Sequence, residues 1–368
     1  METNCPTNKL IMKKLISLFI CLAFAGSSFA QMSGYSSSQS DGTTLGANET
    51  LTADGIALGN AVKLRGYVDF VYSYYDMNGL GDDARFTTNG DLDFLFDLSP
   101  VTGEVQINAT KSGVGLEQIF GRYSFNQDFG ISFGRQVTNL GFESDEPTGL
   151  YSVSNAYWID SIRNHPGMKE ELASVANELD VSESQLPKLR KNYVDGIRAN
   201  YNNGMFGLSF GIHDGYWASD HFNNNVAVDL AASIMFFPGL EARLGYAHQD
   251  DNNSDIGHFN AWLAYNPGDL TLAFEFDNFD FDSNSEMWDI MLLANYQFTD
   301  FFGATLRYTH EDWELGAVKF ETDRISLALL FSITEHLDIN VEYSHTNLDA
   351  SGGDADSDEF YVESLVSF

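Results

Sequence analysis

A chain of 368 residues is long enough for one large domain or two ordinary ones. Its 29 Phe, 17 Tyr and 32 Gly against 7 Pro, with no long apolar run after the N-terminus, exclude a helical membrane protein, which needs about 18 or more consecutive apolar residues per span. They leave open a membrane barrel, whose apolar residues alternate with polar ones, while a formal charge of −34 excludes nucleic acid as a partner because phosphate would be repelled.

The first element is an export signal. In "MKKLISLFICLAFAGSSFAQ", Lys13 and Lys14 precede an apolar stretch from Leu15 to about Gly26, and the small residues Ser28 and Ala30 stand before Gln31. This order marks a secretory signal peptide over residues 1–30, cleaved after Ala30. The preceding "METNCPTNKLI" lacks that character and points to an upstream mis-start, with Met12 as the initiator. Phe19 and Ile20 are too bulky to make Cys21 a lipid-anchor site. Cys5 and Cys21 both fall in the removed part, so no disulfide and no thiol nucleophile is expected.

Residues 31–60 are rich in Ser, Gly, Thr and Asn and read as a flexible or loosely docked polar leader. From there the expected barrel runs over residues 61–368. In "KLRGYVDFVYSYY", Leu64, Val68, Phe70, Tyr72 and Tyr74 share one face and Arg65, Tyr67 and Asp69 the other. Leu92, Phe94, Phe96 and Leu98 likewise oppose Asp91, Asp93 and Asp97, and Leu337, Ile339, Val341 and Tyr343 oppose Asp338, Asn340 and Glu342. Such alternation predicts strands with one apolar and one polar face.

The connections alternate in length. Short turns are expected at 99–102, 126–128, 202–204, 238–239, 266–269, 299–300 and 334–335. Longer polar loops are expected at 76–88, 138–192, 214–224, 250–256, 280–285, 313–319 and 348–357, with a short "SGVG" at 112–115 as the exception. Short turns at one rim and long loops at the other predict an all-β fold, a transmembrane antiparallel up-and-down β-barrel of about 16 strands. The loop over 138–192 departs from the rest. Met168, Leu172, Val175 and Leu179 recur at helical spacing, and "SESQ" at 182–185 has the form of a capping box, so a helical insertion that folds into the lumen or over its mouth is expected there.

Only a closed barrel satisfies the backbone of strands in a bilayer. The apolar faces would then meet lipid, with Trp288, Phe298, Phe302, Tyr308 and Tyr343 as aromatic girdles; the alternative is a large soluble sandwich or solenoid. The opposite faces carry Arg65, Arg122, Arg198, Arg243 and Arg307 together with Asp69, Asp93, Asp97, Glu104, Glu275, Asp277 and Glu342. Inside an aqueous pore such charges set a transverse field and an ion preference; the bland alternative is mutual pairing of solvated lumen residues. Glu143, Asp145, Glu146, Glu170 and Glu171 in the long loop are candidate constriction residues facing the arginines.

The acidic runs 248–255 and 354–359 lack the spacing of a calcium-binding loop and read as solvated acid, so no metal site is assigned. His213, His221, His248, His258, His310 and His345 have Ser and Asp neighbours but form no catalytic motif, so no enzyme is expected.

"LRGYVDFVYSYYD", "ISFGRQVTNLGFES" followed by "YSVSNAYWID", and the final "FYVESLVSF" resemble a family of bacterial outer-membrane β-barrel porins, the OmpL-like or porin-2 type, over most of residues 60–368. The resemblance implies an outer-membrane porin-like barrel with channel function, although the helical insert near 165–190 is longer than that family's pattern. Together with the loop pattern it gives the expectation of a porin without cofactors, through which small hydrophilic solutes or ions diffuse passively, with the 138–192 loop narrowing or gating the pore. The rival is a non-conducting structural or binding barrel with acidic, divalent-cation-binding loops. By the same analogy Phe360, Val362, Val366 and Phe368 resemble the signal read by the barrel-assembly machinery. The implied partners are outer-membrane lipids, that machinery and the solutes, and a homotrimer is an assembly state open to such barrels.

Overall fold

The period-2 pattern closes on itself. In a computed structural model that describes residues 44–78, 81–162, 191–217, 226–250, 255–281, 285–315, 318–350 and 353–368, sixteen strands form one closed antiparallel up-and-down barrel. In chain order they are β1 (Val62–Met77), β2 (Gly81–Leu98), β3 (Val101–Thr110), β4 (Gly113–Ser124), β5 (Phe129–Val137), β6 (Tyr193–Asn202), β7 (Phe206–His213) and β8 (Ala227–Phe237). The second half is β9 (Leu240–Gln249), β10 (Ile256–Tyr265), β11 (Leu270–Phe281), β12 (Ser285–Thr299), β13 (Phe302–Leu315), β14 (Val318–Thr334), β15 (Leu337–Ala350) and β16 (Gly353–Ser367). A two-residue strand, Ile56–Ala57, adds to the start of β1.

Each strand pairs with the next, and β16 returns to β1 with Val366 opposite Val68 and Phe360 opposite Tyr74. Beyond that ladder, Phe368 and Gly66 exchange backbone hydrogen bonds at 2.9 and 3.0 Å. A Cβ on Gly66 would stand 2.2 Å from the carbonyl oxygen of Asp91, so only glycine allows the neighbouring strand this close. Closure leaves no unpaired edge. On β16 Phe360 and Val366 point outward and Val362 is half-buried, while Glu359, Tyr361, Glu363 and Leu365 face inward.

The expected short turns are all present between strands, but several expected long loops are not loops. Strand structure runs through most of 76–88, 313–319 and 348–357, leaving only 78–80, 316–317 and 351–352 between the strands. Polar residues there break the alternation and so resemble loop in the sequence. An antiparallel ladder needs no apolar outer face where water can cover it.

Inside those extended strand ends lies an apolar core. Met77, Phe279, Phe281, Met287, Met291, Trp313 and Phe320 point inward and pack with Leu140, Ala156, Tyr157, Trp158, Ile159, Tyr216 and Trp217. Trp313 stacks on Phe320 at 4.9 Å. Burying each large apolar side chain contributes about 1.5–3 kcal/mol. Lower down the strands the faces are reversed: Phe210, Leu230, Leu244, Leu263 and Leu327 are exposed outward, as a lipid-facing wall requires. Helical structure among the described residues is minor: Glu49–Thr52, a 3-10 turn at Pro147–Gly149, and Trp158–Ile162. The helices expected at 168–179 and 182–185 lie outside the described residues.

Candidate functional site in the barrel lumen

Residues 138–162 follow β5 into the lumen. The base is tied by the Thr138 N–H to the Asn192 carbonyl at 2.7 Å and the Asn192 N–H to Thr138 Oγ1 at 2.9 Å. An aromatic anchor comes next: Phe142 stacks on Tyr151 and meets Trp262 edge-on, while the Arg243 guanidinium lies over the Trp262 ring, 4.7 Å from its centroid.

The segment's backbone N–H groups then go to wall carboxylates, which supply acceptors that a loop inside a barrel cannot take from water. The Phe142 N–H donates to Glu275 at 2.6 Å. Those of Val153 and Ser154 donate to Glu342 at 2.7 and 2.8 Å, and that of Trp158 to Glu311 at 2.8 Å. Arg307 gathers the middle of the segment, contacting Glu143 at 2.7 Å, Ser152 Oγ at 2.7 Å and the carbonyls of Ser154 and Asn155 at 3.0 and 2.9 Å. On the far wall, Glu146 accepts from Tyr67 of β1, Gln106 of β3 and Tyr193 of β6 at 2.6–2.7 Å. With partners on β1 and β3 at one side and β11, β13 and β15 at the other, the segment crosses the lumen.

A second segment fills the short-turn end. Of the leader expected over 31–60, residues 44–60 are described, and Leu45 is 1% exposed. Arg122 donates to the carbonyls of Gly46, at 3.0 Å, and Ala47; Asn202 donates to that of Leu45 at 2.8 Å. Asn48 reaches Thr102 and Ser124. Gly207 makes room: a Cβ there would meet the Leu45 carbonyl at 2.5 Å.

Of the charges singled out from the sequence, Arg65, Asp69, Asp93, Glu104, Arg122, Arg198, Arg243, Glu275, Asp277, Arg307 and Glu342 are buried in the lumen wall, whereas Asp97 is exposed at the short turn, where it accepts from Ser99. Arg65 pairs with Asp93 at 2.9 Å and Glu104 at 3.1 Å. Asp69 is buried on β1, Arg198 donates to the Val137 carbonyl at 3.0 Å, and Arg243 lies 3.6 Å from Glu241. The five arginines are not one open row: Arg122 and Arg198 bind backbone carbonyls, and Arg307 binds the segment itself. Asp145 is half-buried, Glu143 and Glu146 are buried, and Glu170 and Glu171 lie outside the described residues.

Arg324 escaped the sequence reading. It is fully buried, bonded to Glu359 at 3.0 Å and Ser154 Oγ at 2.9 Å. Its alternation with Ser326 and Ala328 against Ile325 and Leu327 was the available signal. Glu117 was missed for another reason. The β3–β4 register shifts beside Gln106, so Glu117 is an extra residue that joins Gln118 on the lumen side. Its carboxyl lies with those of Asp91 and Glu146 inside 4.8 Å, close enough to share a proton or a cation. Burial, with Asp91 and Asp145 adding repulsion, pushes the Glu146 carboxyl up to about 8. Burial also raises that of Glu143, against the pull of Arg307.

One cavity, about 290 Å³, is lined by Phe142, Tyr151, Lys191, Glu241, Arg243 and Trp262. A second, about 70 Å³, lies between residues 44–50 and Arg122, Gln136, Asn139 and Arg198. No serine or threonine hydroxyl bonds a histidine among the described residues; His213, His258, His310 and His345 each face an aspartate.

No family model and no curated protein matches the chain. Solved structures do. An anion-selective porin from Comamonas acidovorans matches at 15% identity and a TM-score of 0.61, over 84% of this chain and 99% of that one. The outer membrane channel DcaP of Acinetobacter baumannii matches at 15% identity and 0.57, over 83% and 97%, and Pseudomonas putida OprB at 11% and 0.56, over 84% and 94%. OmpT, an outer membrane protein of Vibrio cholerae, matches at 12% and 0.55, over 84% and 98%. At these identities the likeness is one of fold: the chain has the barrel fold of the outer-membrane porins.

Proposed function

We propose that the protein is an outer-membrane channel of the porin type, passing small hydrophilic solutes or ions passively through a lumen narrowed by residues 138–162. The observation that carries this reading is the crossing of the lumen by that segment, held through Arg307 to Glu143 and through Ser154 to Glu342. It acts as a constriction on charged anchors, while the charged wall around it orients what passes. The solved channels of the same fold support the reading, and so does the resemblance to OmpL-like porins. Export by residues 1–30, insertion guided by Phe360, Val362, Val366 and Phe368, and assembly as a homotrimer complete it. The chemistry is transport, needing neither a catalytic residue nor a cofactor.

One observation favours the second reading, a non-conducting structural or binding barrel: Arg65, Arg243, Arg307 and Glu342 are each at most 2% exposed, leaving no wide bore beside them. Planar-bilayer conductance of the refolded chain decides between the two. Discrete steps that grow when Arg307→Ala loosens the segment support the channel, and the reversal potential in a salt gradient gives the preferred ion sign. Silence from both folded proteins overturns it in favour of the structural barrel.

A further inference from the structure

Four carboxylic side chains of the lumen wall stand together. Asp277 on β11, Asp289 on β12 and Glu311 on β13 are direct cross-strand neighbours, Asp277 opposite Asp289 and Asp289 opposite Glu311. They form one lateral row on the inward face, and Glu275 sits one inward position along from Asp277. All four are at most 2% exposed. Like charges directly opposite one another destabilise a sheet, and a buried carboxylate needs a counter-charge or a proton.

Among the described residues no arginine or lysine pairs with any of them; Asp277 has the His258 imidazole at 2.7 Å. Asp277 also accepts from Asn260 at 2.8 Å and Tyr157 at 3.1 Å, and Glu311 from the Trp158 N–H and from Thr322, both at 2.8 Å. Asp289 stands apart: it is 0% exposed, and neither of its carboxylate oxygens has a hydrogen-bond partner. Asp160, from the lumen segment, comes close enough to interact with both Asp289 and Glu311.

We propose that this row is a divalent-cation site, with calcium the fitting ion: Asp289 is the central ligand, Asp277 and Glu311 close on it from either side, and Asp160 caps it. All donors are hard oxygens, which calcium takes six to eight at a time at about 2.3–2.6 Å in irregular geometry. Adjacent strands stand about 4.7–4.9 Å apart, so the carboxylates one strand to each side have to turn toward Asp289 to close on an ion over it. Space restricts the ligand to an ion. Met287 and Met291 flank Asp289 on its own face, and Tyr157, Trp158 and Ile159 pack in the same core. The carboxyls of Asp91, Glu117 and Glu146 lie nearer one another, but Asp91 and Glu146 accept from Gln106, Asn108, Tyr67 and Tyr193 as Asp277 and Glu311 accept from their own donors; what sets the β11–β13 row apart is Asp289, fully buried with neither oxygen partnered. An ion at Asp289 would bind the 157–160 stretch to β11, β12 and β13.

Terbium luminescence tests this directly, since Trp158 and Trp313 lie in the same core and can sensitise a lanthanide there. The refolded full chain in detergent is expected to give saturable, tryptophan-excited emission that calcium displaces. Asp289→Asn should weaken terbium binding about tenfold or more, and Glu311→Gln should weaken it as well, whereas Asp354→Asn in the acidic run near the rim should leave it unchanged. Folding of each variant is read from its heat-modifiable migration, and if one fails to fold the other decides. Absence of saturable emission from the wild type, or emission unaltered in the folded variants, overturns the proposal.

Discussion

A single strand, β13, shows two environments stacked along one barrel. At mid-height its inward residues are Thr305, Arg307 and Thr309 and its outward residues Leu306 and Tyr308; toward the long-connection rim the inward residue is Trp313 and the outward ones are Asp312 and Glu314. Polar-in, apolar-out has become apolar-in, polar-out within a few residues. The apolar face follows whichever side is dry: lipid outside at mid-height, and the packed Trp158 and Trp217 core inside at the rim. The middle of the barrel therefore resembles a pore wall, while the rim half resembles a soluble protein with its own core.

The largest effects should come from breaking the lumen packing. Arg307→Ala leaves Glu143 buried without its cation and Glu342 with Arg324 alone, at a cost of about 3–5 kcal/mol; a lower unfolding midpoint and new protease cleavage within 138–162 are expected. Trp313→Ala should cost about 3–5 kcal/mol as a cavity in the rim core, read from the same denaturation curves. If that half were only loosely packed, the loss would stay under about 1 kcal/mol.

Charge on the outer face separates the two heights next. Leu244→Arg on the mid-height wall should cost about 2–4 kcal/mol of stability in lipid, as for a cation at the bilayer midplane. Glu321→Arg, beside Asp312 and Asp349 near the rim, should stay within about 0.5 kcal/mol. Equal costs would mean that lipid covers both heights.

The smallest effect is a pH dependence of the lumen segment. The docked Glu146 carboxyl, raised to about 8, holds a proton that an undocked one, at its ordinary value near 4.5, releases. Its contribution to docking is thus complete below about pH 4.5 and is lost as pH rises through about 8. Proteolysis of the segment should increase between pH 7 and 9 in the wild type. In Glu146→Gln, which mimics the protonated form, that rise should be absent.

The wall was legible because alternation is local. Arg65, Arg122, Arg198, Arg243 and Arg307 could be assigned inward from their neighbours, since a strand reverses its side chains at every residue. The same rule misled at 313–319, where Trp313 and Phe320 point inward among outward charges and the polar run read as loop. It also failed at Glu117, because a bulge shifts the register without changing composition. Partners could not be read at all. Arg307 meets Glu143 from 164 positions away, and Arg122 meets a carbonyl 76 positions away.

The sequence by itself determined a closed ring of alternating strands, its outward apolar band, its short turns and the inward direction of the five arginines, because each depends on residues next to one another in the chain. Only the tertiary structure decided what those charges serve. Segments 44–52 and 138–162 enter the lumen, bring their backbone donors and acceptors to wall carboxylates and guanidinium groups, and build an apolar core above them. Such long-range pairing depends on which elements closure brings face to face, and it leaves no periodic trace in the sequence.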